Sequence, residues 1–211
     1  MAERVTFFID GFNIYHSISD AIFRKKIRSG KWLNLHALCT SFLPLFSPNG
    51  TIESVHYFSA FANHVNDKGA PARHRIYLNA LEDTGVEVTM GKFKPKYPKC
   101  NNCNQKYKAH EEKESDVNIA IKLLEKLYTD SCDWAVIVSD DSDLTAVIRS
   151  GKRLFPHKNI GVLFPYSRAN AEFKGISDAT ADIRPQDYFK NQFTNPYKLK
   201  CGTVISKPPT W

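Results

Sequence analysis

Two short apolar runs in this chain stop abruptly at carboxylates. Val5-Thr6-Phe7-Phe8-Ile9 leads into Asp10-Gly11-Phe12-Asn13, and Ala135-Val136-Ile137-Val138 leads into Ser139-Asp140-Asp141-Ser142-Asp143. Runs of this length and composition read as strands buried on both faces. In an open α/β sheet, ligands bind beyond the carboxyl ends of the strands. If the two ends lie side by side, the carboxylates of Asp10, Asp140, Asp141 and Asp143 and the amide of Asn13 share one crevice. Crowded carboxylates repel one another unless something positive sits between them. A hard divalent cation such as Mg²⁺, which takes oxygen ligands, suits the set best.

The elements that must position these residues follow from apolar spacing. Five buried-type strands are expected at Val5–Ile9, Val55–Ala60, Val86–Met90, Ala135–Ser139 and Ile160–Phe164. Segments with an apolar stripe at helical period lie between them: Asn13 to about Ile27, Leu33–Leu43, Arg73–Thr84, Asp116–Tyr128 and Ser142–Leu154. Strand and helix alternate, so a parallel sheet covered on both faces with right-handed crossovers is the economical architecture. Ser115 is expected to cap the Asp116 helix, and Asp141 or Ser142 the helix after the fourth strand. One Asp at a helix start is explained by capping and the macrodipole. Three within Asp140–Asp143 exceed what capping needs.

Two segments break the alternation. Residues 92–115 form a Lys/Tyr/Cys-rich insertion, so residues 1–184 are read as one domain carrying that insertion. Residues 185–211 are read as an irregular, Pro-containing tail packing on the domain or extending from it, in which Thr203-Val204-Ile205 could add an edge strand. At 211 residues the chain can fill one core, and 42% hydrophobic content is ordinary for a globular protein. No apolar run approaches the ~20 residues that span a membrane, and the N-terminus lacks a signal-peptide layout. A soluble, cytoplasmic protein is expected, with no membrane partner. Five cysteines do not make a secreted framework, and Cys39 and Cys132 read as reduced, packed thiols.

The net charge is +7 despite the acidic strand ends. The basic excess is concentrated in Arg24-Lys25-Lys26-Ile27-Arg28 with Lys31, and in the stretch from Lys92 to Lys113. An acidic pocket bordered by basic surface suits a polyanionic substrate.

Ile9-Asp10-Gly11-Phe12-Asn13-Ile14-Tyr15, Glu112-Lys113-Glu114-Ser115-Asp116-Val117 and Val138-Ser139-Asp140-Asp141-Ser142-Asp143-Leu144 occur in that order within the alternation. Together they resemble the NYN domain family of PIN-like nucleases, over about residues 4–180. The resemblance implies a PIN-like three-layer α/β/α fold with a central, mainly parallel five-stranded sheet. It also implies a ribonuclease, and an endonuclease on single-stranded or structured RNA, working with Mg²⁺ or Mn²⁺. The family's acidic positions map to Asp10, Asp116, Asp141 and Asp143, its Asn to Asn13 and its Lys to Lys113. The chain has Asp140 where the family usually has Gly, and Leu144 where it has Phe. An RNA-binding or regulatory NYN module with little turnover is the alternative. A homodimer partner is left open, and so is single-stranded DNA in place of RNA.

Phosphodiester hydrolysis by in-line displacement needs an activated water and a stabilised leaving oxygen, and one or two hard cations supply both. Asp10 and Asp141 would bind or orient metal most directly, with Asp116 and Asp143 completing the set or holding its waters and Asp140 as a further ligand. Asn13 offers a neutral amide to a metal-bound water or a phosphate oxygen, and Lys113 would neutralise charge near the substrate. Plain structural readings stand beside these: Asn13 as a helix cap, Asp116 as a first-turn acid, and His16 as a structural residue on the same helix face as Asn13.

Cys100-Asn101-Asn102-Cys103 is half of a zinc knuckle, a tight turn with free thiols or a redox pair. A structural Zn²⁺ would need two more ligands, for which His110 and Cys201 are the nearest by type. The same insertion interleaves Phe93, Tyr97 and Tyr107 with Lys94, Lys96 and Lys99. Aromatics stack on unpaired bases while lysines meet phosphates, so residues 92–113 are expected to grip substrate beside the metal pocket. A haloacid-dehalogenase phosphatase would want Asp at the position of Phe12. A phospho-receiver would want Asp at the end of the third strand, where Met90-Gly91-Lys92 has none. No Gly-x-Gly-x-x-Gly follows the first strand, which argues against dinucleotide binding.

Overall fold

The computed structural model describes residues 2–63, 65, 67–100 and 102–211. Its organising strand is β1 (Arg4–Asp10), buried along nearly its whole length. Alternate side chains feed two cores: Val5, Phe7 and Ile9 enter one, while Phe8 enters the other. The neighbouring β6 (Trp134–Val138) does the same, with Val136 and Val138 on one face and Ala135 and Ile137 on the opposite face. This two-sided burial makes both runs continuously apolar rather than alternating.

All six strands of the main sheet are parallel, in the order β3 (Val86–Met90), β2 (Thr51–Ser59), β1, β6, β7 (Asn159–Phe164), β8 (Ala179–Asp182). The sheet grows outward in one direction through β2 and β3, then returns to the far side of β1 to continue through β6, β7 and β8. The reversal falls between β1 and β6, whose register pairs Ile9 with Val138. The carboxyl ends of these two strands therefore flank the crevice of the switch point. One face is covered by α1 (Gly11–Phe23), α2 (Leu35–Phe46) and α3 (Ala70–Asp83). The other is covered by α4 (Ser115–Tyr128), α5 (Thr145–Leu154) and α6 (Ala171–Ile176). The result is a three-layer α/β/α domain. The sixth strand, β8, was not expected from the sequence.

The insertion is ordered as a two-stranded antiparallel hairpin of β4 (Lys92–Lys96) and β5 (Ala109–Lys113). The C-terminal segment adds α7 (Pro185–Lys190) and a two-residue ladder between β9 (Tyr197–Lys198) and β10 (Val204–Ile205). Val204 and Ile205 thus pair within the tail rather than along an edge of the main sheet. Tyr188 and Phe193 are buried in the core that also holds Trp32, so the tail packs on the domain. Cys39 and Cys132 are buried free thiols. Among the described residues no helix is long and apolar enough to cross a membrane.

Two caps differ from expectation. The first helix starts at Gly11 rather than Asn13, with Asp10 itself as the cap. Ser115 is the first residue of α4 rather than its cap; Glu114 precedes it in the left-handed region at φ 84. The Ser115 hydroxyl instead donates to Glu112 Oε1 at 2.6 Å.

Candidate metal centre

Asp10 ends β1 and caps α1, so the polypeptide fixes its carboxylate from both sides. Asp10 Oδ1 accepts from the backbone N–H groups of Phe12 and Asn13 at 3.1 and 3.0 Å. Oδ2 accepts from Asn13 Nδ2 at 3.1 Å and from the Ser139 hydroxyl at 2.9 Å. The same Ser139 oxygen accepts from the Asp141 N–H at 3.1 Å. One buried hydroxyl thus ties the ends of β1 and β6 together. Asp141 then caps a single 3₁₀ turn, Ser142–Leu144, by accepting from Asp143 N–H at 3.0 Å. Asp116 comes from the first turn of α4.

These three elements bring one ligand atom each from Asp10, Asp116 and Asp141 within 4.8 Å of one another. Their electrostatics describe a site short of positive charge. Burial pushes the Asp10 carboxyl above its ordinary range, partly offset by its hydrogen bonds from Asn13 and Ser139, and the charge of Asp141 adds to the rise. Asp116 is pushed up to about 6, by burial first and then by the charges of Asp141, Asp10, Glu112 and Asp143. Glu112 is also raised, chiefly by burial, with Asp10 contributing. Mutually raised carboxyls in a cleft mark a candidate functional site.

The donor set suits a hard divalent cation: three carboxylates at one point, all oxygen. Asn13 supplies an independent sign. Its Nδ2 is spent on Asp10, while its Oδ1 is buried without a hydrogen-bond partner among the described residues. A buried orphan acceptor costs free energy, and a metal-bound water would satisfy it. Asp10, Asp116 and Asp141 could therefore hold the cation, with Asn13 beside it.

Without metal, the crowded carboxylates make stability depend on pH. Because the folded-state value of Asp116 lies above the ordinary 3.8, its ionised form costs stability. The favourable contribution is complete below about pH 4 and is lost as pH rises through about 6. Asp116→Asn in EDTA at pH 8 is expected to raise stability by about 1 kcal/mol, discounted for the half-buried position, with no gain at pH 4. Thermal melts at the two pH values measure it; a variant less stable than wild type at pH 8 would refute the crowding argument.

The other predicted residues lie around this cluster. The Asp143 side chain is exposed and outside the cluster; it bears on the centre through its charge on Asp116, and its backbone N–H through Asp141 Oδ1. The carboxylate of Asp140 is not part of the cluster; its backbone oxygen accepts from Asn170 Nδ2 at 3.2 Å, which pins the strand end to the cap of α6. His16 is exposed, its ring against Tyr15. The base of the β4–β5 hairpin borders the site through Phe93, which packs edge-on against Phe12, and through Glu112. Register places Lys92, Lys94, Lys96, Glu111 and Lys113 on the opposite face. There Lys96 and Lys113 pair with Glu111 at 3.2 and 2.8 Å. Tyr97 and Tyr107 are exposed beyond the hairpin, and Lys99 is bridged to Lys106.

Cys100 and Cys103 occupy a tight turn, and Asn101 lies outside the described residues. Backbone N–H groups of Asn102 and Cys103, with the Cys103 side chain, hold the Cys100 thiol below its ordinary range. Among the described residues neither His110 nor Cys201 joins them in a ligand group. Sequence reasoning assigned no role to Ser139 or Glu112, although both lie inside the quoted motifs.

This doubly wound α/β/α domain with an acidic cluster at its switch point has the architecture of the PIN-like folds, the class to which NYN domains belong. The NYN domain family model matches residues 4–178, and the chain belongs to that family. It is also similar to 6-hydroxy-3-succinoylpyridine 3-monooxygenase HspA of Pseudomonas putida, at 28% identity over 93% of this chain and 68% of that protein. A crystal structure of a protein of unknown function from Vibrio parahaemolyticus superimposes with a TM-score of 0.56. It is 17% identical, covering 87% of this chain and 94% of that one, and shows the fold alone. The homodimer left open by the sequence gains no support from the fold or these comparisons.

Proposed function

We propose that this protein is a divalent-metal-dependent ribonuclease that cuts RNA internally at the Asp10–Asp116–Asp141 cluster. The observation that carries the reading is the convergence of those three carboxylates within 4.8 Å beside the orphan oxygen of Asn13. Family membership adds the substrate class, since NYN domains generally act on RNA. The net charge of +7 suits a polyanion.

When bound, Mg²⁺ or Mn²⁺ supplies an activated water and stabilises the leaving oxygen. The chain's own residues provide preorganisation. Ser139 ties the Asp10 carboxylate to the Asp141 backbone, and the Asp143 N–H holds Asp141 Oδ1, so both carboxylates are positioned before the reaction. Asn13 Oδ1, an acceptor, orients a water by taking one of its protons. Asp143 adds negative charge at the rim, and the hairpin base closes one side of the cleft.

The Pseudomonas relative is named for an oxygenation. The non-haem iron oxygenase triad uses two histidines and one carboxylate, whereas this cluster is all carboxylate among the described residues. That donor set favours hydrolysis.

The test is incubation of a mixed RNA pool with and without Mn²⁺, followed by mapping of the ends produced. New internal ends are expected only with Mn²⁺ and wild-type protein, and none with Asp141→Asn. RNA retained intact by wild-type protein in Mn²⁺ would replace this reading with that of an RNA-binding module with little turnover.

A further inference from the structure

The first turn of α1 is a wall with two sides. Asp10 and Asn13 turn toward the carboxylate cluster, while Gly11, Phe12, Ile14 and Tyr15 line a separate cavity of about 350 Å³. That volume lies at the small end of ligand sites. Several aromatic rings line it. Tyr57 and Tyr77 meet edge to face with centroids 6.3 Å apart, and Tyr77 meets Trp211 at 5.6 Å. Phe12 and Tyr15 complete the aromatic wall.

The charged groups of the lining are Lys31, Arg73 and Asp67. Lys31 Nζ sits 4.9 Å over the Tyr15 ring and donates to its hydroxyl at 3.3 Å. Arg73 spends its guanidinium tip on Asp67, but its Nε–H is buried with no hydrogen-bond partner among the described residues. His74 is held neutral, its pKa lowered to about 4 by burial. An apolar aromatic slot with an unspent donor and a cation fits a planar heteroaromatic ring with a carbonyl or ring-nitrogen acceptor.

The position of the slot narrows the choice of ring. Its wall is the helix turn that holds Asp10. Tyr57 lies against Gly11 from the other side, and its hydroxyl feels the charge of Asp10. A ring held here belongs to a molecule whose next chemical group reaches the carboxylates. A nucleotide within a strand has that shape: base on one side, phosphate on the other.

We infer that this cavity receives one base of the RNA strand whose phosphate lies at the Asp10–Asp116–Asp141 cluster. The inference rests on the ribonuclease reading for its choice of strand. Base stacking on the Tyr15 and Tyr57 rings holds the nucleotide, and Arg73 Nε–H takes an acceptor on the base edge. Lys31 meets the backbone at the rim.

The test is binding in EDTA, where no cleavage occurs. The probes are RNA hexamers carrying a single 2-aminopurine at each position in turn. Wild-type protein is expected to quench the probe at one position. Tyr15→Ala is expected to weaken binding about tenfold, while Tyr15→Phe, which keeps the ring, binds like wild type. An abasic site at the quenched position should cost wild type the same tenfold and cost Tyr15→Ala nothing further. Ala62→Trp, which fills the cavity from its loop side, should remove the quenching while leaving the melting temperature in place.

Equal affinity of wild type and Tyr15→Ala, absence of quenching at every position, or an abasic hexamer bound as tightly as the intact one overturns the inference. So does nicotinate bound in the cavity that RNA fails to displace, which would assign the slot to a free ring. Because binding is scored without metal, a protein that shows this signature yet never cuts RNA in Mn²⁺ would remove the nuclease reading alone. Cleavage with an unchanged Tyr15→Ala would remove this inference alone.

Discussion

Asp10→Asn is expected to abolish Mn²⁺ binding and RNA cleavage while leaving the protein folded. Asp10 is only 5% exposed and accepts from four donors, so its replacement looks dangerous at first sight. The contacts divide by oxygen. Asn keeps Oδ1 and with it the cap on α1, since Asn is as good a cap as Asp. It loses Oδ2, leaving the Asn13 amide and the Ser139 hydroxyl to find new partners. That loss is offset by removing a buried charge that burial and Asp141 already disfavour. The net change in stability should lie within about 1 kcal/mol. Function has no such offset, because one of three convergent oxygens becomes a donor. A cleavage loss of about a thousandfold or more is expected, the scale seen when a preorganised charge-stabilising group is removed. Calorimetric Mn²⁺ titration, single-turnover cleavage and a melt in EDTA measure the three quantities. Retention of Mn²⁺ affinity within about threefold would remove Asp10 from the centre.

How much of this could be read from residues alone is seen best at the strand ends. Asp10 and Asp141 were legible because two-sided burial writes itself as an uninterrupted apolar run, and the end of such a run in a doubly wound sheet is a defined place. The fate of Asp140 and Asp143 was not legible. A chain leaving a strand turns its successive side chains in different directions, so neighbouring acids cannot all point at one atom. Which one does depends on the 3₁₀ turn at Ser142–Leu144 and on Asn170 holding the Asp140 carbonyl. Asn170 is a tertiary partner from another helix.

The lysines of the insertion teach the same lesson with a different period. Lys92, Lys94 and Lys96 alternate with Phe93 and Pro95, which is the spacing of a strand. Read as a strand, the segment turns Phe93 toward the site and the lysines away; read as a loop, it lets the lysines grip. Its high charge favoured the loop reading. Ser139 and Glu112 went unassigned because a hydroxyl bridging two strand ends and a carboxylate bracing Ser115 exist only after the sheet and hairpin have formed. The strand β8, four residues at an edge with Thr180 alone β-branched, is specified by pairing with β7 more than by propensity.

Gly11→Ala should show that the sheet, and not the cap alone, positions the centre. Gly11 follows Asp10 directly and opens α1. A Cβ there would lie 2.6 Å from the Phe58 backbone oxygen and 2.7 Å from Tyr57 Cζ. Neither neighbour can yield cheaply. Phe58 is paired with Asp10 across the β1–β2 ladder, and Tyr57 is buried against Tyr77. The start of α1 must therefore lift from the sheet, carrying Asp10 and Asn13 with it. Overpacking costs about 1–3 kcal/mol, partly offset by the better helix propensity of Ala, which is worth up to about 1 kcal/mol. A net loss of about 1–2 kcal/mol is expected in the melt. The effect on chemistry should be larger than that figure suggests, because a misplacement on the order of 1 Å costs about a hundredfold. Gly175→Ala is the control: it lies in α6, and a Cβ there meets nothing within 4 Å. It should leave cleavage unchanged and melting unchanged or raised, by at most the ~1 kcal/mol that Ala gains over Gly in a helix. If Gly11→Ala bound Mn²⁺ and cut RNA at the wild-type rate, the close approach of α1 to β2 would not be what aims Asp10. The cluster would then owe its geometry to Ser139 and the cap hydrogen bonds alone.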